Sequence, residues 1–207
     1  MLEQRARAEK SNEKTAIAQL LITLALEGCI VTIDAMGTQV NITRAIRDRG
    51  THYVLASLKD NQPSLAASVR EFFVQYQSAL ERTPHTVVQT IVKDHGRIET
   101  RRCFAFDRFD CLAQPERWPD MTSFVVIESE RTINGKTSLE RRFYLSSLPA
   151  DAHCLAQAVR AHWAVENSLS SSAAFSFEVK ELCECVGGAG VRHSHVMCNF
   201  SSFQIVL

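Results

Sequence analysis

The residues with the most chemistry in them are two carboxylates set where a carboxylate is costly. Asp34 ends the run Cys29-Ile30-Val31-Thr32-Ile33-Asp34, apolar and β-branched with no polar alternation, and a small-residue turn through Gly37 follows it. Such a run predicts a strand buried on both faces, and ligands of open α/β sheets gather at the carboxyl ends of such strands. Glu166 lies far downstream, in line with Leu155, Val159 and His162 at helical spacing. A carboxylate on a packing face must be paired, hydrogen-bonded or bound to a metal. Two readings stand for each acid. Asp34 either caps the next helix or is a metal ligand. Glu166 either pairs with an arginine of the middle section or joins Asp34 in holding Mg²⁺ through oxygen. Two such metals about 4 Å apart activate a water or 3′-hydroxyl and stabilise the leaving oxygen of a phosphodiester.

The elements that must position these acids alternate. Ile17, Leu20, Leu21 and Leu24 predict a helix over 11–27 that stops at Gly28. A short helix from Val40 to Arg49 follows the central strand, and Tyr53–Leu58 is the next strand. Helix, strand, helix, strand argues for a parallel or mixed sheet with covering helices. After the polar turn 59–63, Leu65, Val69, Phe72, Phe73, Tyr76 and Leu80 mark one side of a helix reaching about Arg82. Strand-like runs then recur at Thr86–Lys93, Arg97–Phe106, Ser123–Ser129 and Ser138–Leu145, with Asn134-Gly135 as a hairpin turn between the last two. Asp151 caps a final helix to Leu169.

With 23 basic and 23 acidic side chains in 207 residues, no whole-protein field draws in nucleic acid or membrane, so DNA binding must rest on local patches. No apolar run is long enough to span a bilayer, and the polar start is no signal peptide. Seven scattered cysteines, an odd number, suit reduced thiols. The expectation is a soluble, cytoplasmic protein.

The segments KSNEKTAI, IVTIDAMGTQ, YVLASLKDNQP, DHGRIETRR, ESERTINGKTSLERRFYLSSLPAD and RAHWAVENSL, in this order, resemble the H-repeat-associated insertion-sequence transposases. These are DDE transposases with a ribonuclease-H-like fold and a β-rich insertion before the last catalytic helix. The resemblance spans about Lys10 to Leu169. It implies that Asp34 is the second acid of the catalytic triad and Glu166 the third, that Mg²⁺ is the cofactor, and that the partners are element-end DNA and another transposase subunit. Lys59, Asn61 and Gln62 follow a strand near where DNA would pass in such a fold; a plain surface turn is the other reading. His95, Arg97, Glu99 and Arg101 alternate and so share one strand face, where the cations either meet phosphates or pair with Glu99. His162 either touches phosphate, orients Glu166, or is a buried helix histidine. Trp163 is either core or a base-stacking wedge.

The chain also departs from the family. The first catalytic aspartate is expected on an earlier strand, and no aspartate precedes Asp34. After Leu169 the family's His-Trp pair and Leu-Asp-Val segment are replaced by Ser170-Ser171-Ser172-Ala173-Ala174-Phe175, the mark of a frameshifted tail. Cys183, Cys185, His193, His195 and Cys198 in that tail are either chance residues or zinc ligands. The expected fold is α/β: an incomplete ribonuclease-H-like domain (1–85 and 151–169), a β-rich insertion (86–150) and a divergent tail without order (170–207). The expected function is that of a DDE transposase fragment that does not cut DNA alone. Its rival is a DNA-binding or dimerising fragment that interferes with intact transposase through Arg97, Arg101, Arg141 and Arg142.

Overall fold

The run that ends at Asp34 forms a strand covered on both faces: β1 (Ile30–Ile33) is buried at every residue. The computed structural model describes Leu21, Leu26 and residues 28–35, 37–55, 62–78, 85–94, 96–168 and 203–206, with 164–168 and 203–206 described by backbone alone. β1 pairs in parallel with β2 (His52–Leu55), from Ile30↔His52 to Ile33↔Leu55. Parallel partners need a crossover, supplied here by α1 (Val40–Arg47), which buries Ile42, Thr43 and Ile46. Gly50, at φ +68°, turns the chain back into β2 in a conformation that favours glycine. α2 (Pro63–Ser78) begins with proline at a position where a missing N–H costs nothing, and it buries Leu65, Ala66, Val69, Phe72, Phe73 and Tyr76.

Four long antiparallel strands follow: β3 (Thr86–Asp94), β4 (Arg97–Phe106), β5 (Ser123–Ile133) and β6 (Lys136–Ser146). Asn134 and Gly135 both adopt positive φ, 50° and 74°, as a tight hairpin turn of this kind requires. The β5–β6 ladder therefore runs up to Ile133↔Lys136, and both strands are longer than their apolar cores suggested. At its far end β6 pairs antiparallel with β2, at Val54↔Ser146 and Leu55↔Leu145. Residues 86–150 thus continue the sheet of β1 and β2 rather than standing beside it.

α3 (Ala152–Ser168) begins where expected, with Asp151 Oδ1 accepting the N–H groups of His153 (2.8 Å) and Cys154 (3.2 Å). The last described strand is β7 (Phe203–Val206), antiparallel beside β1 from Ile30↔Val206 to Ile33↔Phe203. These four residues, β-favouring in composition, pair the side of β1 that faces away from β2. Among the described residues the sheet order is β3-β4-β5-β6-β2-β1-β7.

Pleating divides the core in two. Val31, Ile33, Tyr53 and Leu55 face α1 and α2, together with the aromatic cluster of Phe72, Phe106 and Phe124; Phe106 and Phe124 stack at 5.1 Å between ring centroids. Ile30, Val54, Cys103, Val125 and Tyr144 face α3, which contributes Leu155, Ala158 and Val159. Among the described residues no helix is long and apolar enough to cross a membrane.

Candidate functional site

Asp34 sits one residue beyond β1, half-buried. Its Oδ1 accepts the Gly37 N–H at 3.0 Å, and its carbonyl accepts the Thr38 hydroxyl at 2.8 Å. The helix-cap reading is corrected by this geometry. α1 starts after Gln39, and Asp34 braces the turn that leads there. The carboxylate is thereby fixed at the carboxyl end of a strand parallel to its neighbour, the edge where α/β sheets gather ligands.

α3, which carries Glu166, is pinned to three strands. At its start Thr86 of β3 bridges the helix entry, with Oγ1 donating to the Ala150 carbonyl at 2.6 Å and accepting the Ala152 N–H at 2.8 Å. Further along, Trp163 Nε1 donates to the Tyr144 hydroxyl of β6 at 3.2 Å. Beside it, His162 Nδ1 meets Thr32 Oγ1 of β1 at 3.0 Å. His162 is 2% exposed. Burial, with the nearby Arg142 charge adding to it, pushes its pKa down to about 4, so the ring is neutral at neutral pH. Its place is internal, against the sheet, and its partner is a side-chain hydroxyl rather than a backbone group. Trp163 is half-buried with the Arg142 guanidinium 3.9 Å from its ring centroid, a face-on cation contact. It belongs to the packing between α3 and β6. The Glu166 backbone lies one turn beyond His162; its side chain is outside the described residues.

Where α3 leaves the sheet face uncovered, a groove of about 270 Å³ opens. Arg101, Arg131, Arg142 and Arg160 line it against two carboxylates, Glu99 and Glu140. Glu99 is 7% exposed and gathers three arginines: Arg97, Arg101 at 2.6 Å and Arg131 at 3.6 Å. Burial alone raises the Glu99 pKa, but hydrogen bonds from Arg101 and Arg97 outweigh it and hold the carboxyl below its usual range. Arg97, Glu99 and Arg101 do share a face, and both arginines pair with Glu99, yet three cations about one anion leave local positive charge. Arg141, grouped at first with Arg142, points to the other face. There it donates to Glu128 at 2.8 Å and Gln77 at 3.0 Å. Gln62 lies at the entry of α2, on the opposite layer from α3, and lines a separate cleft with Arg117 and Trp118. Lys59, Asn61 and His95, and the tail residues Cys183, Cys185, His193, His195 and Cys198, lie outside the described residues.

Sequence reasoning missed Arg131, Arg160, Thr32 and Thr86. Arg131 faces Glu99 across the β4–β5 ladder, a register set by the path of residues 107–122 and not by local alternation. Thr32 carried a signal: it is the one hydroxyl inside β1, two residues before Asp34.

A profile of the transposase DDE domain matches residues 1–180 of the chain. The chain belongs to the transposase DDE domain family. Among its relatives in this family is YhhI of Escherichia coli strain K12, which carries the name of an H repeat-associated transposase. It is 36% identical over 166 residues, covering 78% of this chain and 43% of YhhI. The uncharacterized protein in the dhlA 3′ region of Xanthobacter autotrophicus is 42% identical over 151 residues, covering 73% of this chain and 50% of its own length. The chain thus spans half or less of the length of these relatives. No solved structure matches it. Membership in this family agrees with the mixed α/β architecture.

Proposed function

We propose that this chain is a DDE transposase fragment that holds DNA along the groove between α3 and the β4–β6 ladder, with Asp34 and Glu166 as two of the lineage's metal-binding acids. The observation that carries the reading is the contact between Thr32 and His162. Asp34 follows Thr32 by two residues, the repeat of a strand face, and Glu166 follows His162 by four, the repeat of a helix face. One hydrogen bond therefore ties together the two elements that carry the acids.

Carboxylate oxygens at a strand end suit a hard divalent cation such as Mg²⁺. The reading assigns two acids to the metal, Asp34 and Glu166. When bound, such ions activate a water or 3′-hydroxyl and neutralise the leaving oxygen. The chain's own part is positioning. Gly37 orients the Asp34 carboxylate, Thr32 and Thr86 hold α3 in place, and neutral His162 adds no repulsion to a cation nearby. The arginines of the groove balance phosphate charge. Two acids alone make a weak site for such ions, because a site short of a metal ligand loses affinity and geometry.

The test uses the 207-residue chain with element-end DNA. A salt-dependent gel shift without strand cleavage in Mg²⁺ is the expected result. Cleavage that Asp34→Ala abolishes would overturn the inactivity, and absence of any shift at low salt would overturn the DNA-binding reading.

A further inference from the structure

Building on the DNA-holding reading of the groove, we infer that Arg142 is a positioning residue. It passes the grip of a DNA phosphate on to Trp163 and so steadies the turn of α3 that carries Glu166. Arg101 and Arg131 of the same groove are committed to Glu99. Arg142, on β6, works on two sides at once. Its Nε donates to Glu140 Oε1 at 2.8 Å, and its flat face rests on the Trp163 ring, 3.9 Å from the centroid. The Glu140 side chain is 59% exposed, so the pair it makes is weak and a phosphate entering the groove takes its place. Phosphate oxygens meet the edge of a guanidinium in a fork of two bonds. The planar group is then held at its edge and stacked on its face together, which an ammonium cannot be.

From Trp163 the path to the acids is short. Its indole N–H donates to the Tyr144 hydroxyl at 3.2 Å, to which Arg142 also donates, so indole, hydroxyl and guanidinium form one group. The rings of Trp163 and His162 meet edge to face, with centroids 5.3 Å apart. Thr32 takes the Nδ1 side of His162 at 3.0 Å, and Nε2 is buried with no hydrogen-bond partner among the described residues. The seat of His162 therefore depends on Thr32 and on Trp163, and Glu166 follows one turn later. Without a phosphate, Arg142 gives up side-chain freedom to stay on the ring. An arginine already fixed by phosphate has little freedom left to lose. DNA in the groove and the stacked state of Trp163 therefore favour each other, and by linkage the effect is reciprocal.

The full chain labelled with fluorotryptophan gives two fluorine NMR signals, from Trp118 and Trp163, told apart by Trp163→Phe. Saturating element-end duplex DNA should shift the Trp163 signal, leave that of Trp118 in place, and slow amide exchange over 164–168 several-fold. Arg142→Lys keeps the charge and loses the fork and the flat face, so at saturating DNA it should show neither the shift nor the slowing. Arg101→Ala removes a groove cation that is bound to Glu99; it should weaken binding and, at saturation, keep both responses. DNA that binds without moving the Trp163 signal, or an Arg142→Lys chain that keeps shift and slowing, would overturn the role of Arg142 and leave the DNA-holding reading standing. A chain that binds no DNA at low salt would overturn both.

Discussion

Glu99 and Glu128 stand on opposite faces of one sheet, each nearly buried, 7% and 3% exposed, and each held by arginines. Around Glu128 the charges close. Arg102 and Arg141 approach at 2.8 Å, Glu130 takes the far side of Arg102, and Gln77 of α2 covers the group from above. Around Glu99 they do not: Arg97, Arg101 and Arg131 surround one carboxylate, and among the described residues no helix covers them where the groove opens. The same residue types thus make a structural clasp on one face and a surplus of positive charge on the other. What separates the two is the covering layer. α2 lies over Glu128, whereas α3 crosses its own face toward β1 and leaves the outer part of the ladder open.

The difference can be broken from either side. The largest effect is expected from acid and belongs to the α3 side. His162 is neutral when folded and has its pKa near 4, against about 6.5 when unfolded. The unfolded chain therefore takes up the proton first, and stability falls as pH drops from about 6.5 to 4, by up to about 3 kcal/mol. Urea unfolding across that range measures it. Glu99 acts lower on the scale. Its carboxyl is held below the usual range when folded, so its contribution is lost only as pH falls below about 4.5, and Glu99→Gln should erase that lower limb while leaving the upper one.

Glu128→Ala ranks next. It leaves Arg102 and Arg141 facing each other without their anion, at a cost of about 2–3 kcal/mol, reduced from a fully buried pair because both arginines are about one-third exposed. DNA affinity should not change. Glu99→Ala should cost less stability, about 1 kcal/mol, and should strengthen DNA binding, because it removes a negative charge from a surface that already has too few. If the two alanine variants moved DNA affinity alike, the contrast between the faces would be lost. Thr32→Val is smaller in its reach. It removes the partner of a buried ring nitrogen at about 1–2 kcal/mol, and it should loosen the end of α3, read as faster amide exchange after Trp163.

Much of the frame was legible because each element carried its own signal. The β-branched run to Asp34, the Asn134-Gly135 turn and the Asp151 cap each fixed a boundary by local chemistry, and β4 lies where its alternation put it. Long-range register was not legible. That β6 returns to β2 and that Arg131 comes opposite Glu99 depend on how strands 20 or more residues apart align. β7 was missed for a related reason. Phe203-Gln204-Ile205-Val206 is too short a run to stand out, and its strand exists only because β1 has an edge to receive it.

The finest test changes stability least and binding most. Arg101→Ala with Arg131→Ala strips two of the three cations from Glu99, and the side chains lost are about 40% and 44% exposed. Exposed pairs contribute little, so unfolding should shift by no more than about 1 kcal/mol. Each arginine that neutralises a phosphate adds about one unit to the slope of log affinity against log salt, so the double variant should flatten that slope by about two. The matched pair Arg70→Ala with Arg141→Ala removes as much positive charge from the other face, where Arg70 lies over Phe143 and Arg141 over Phe73. If its slope is unchanged while the groove variant flattens, DNA lies along α3. If both flatten equally, the surplus at Glu99 is only part of the general charge of the ladder, and the open face has no special claim on DNA.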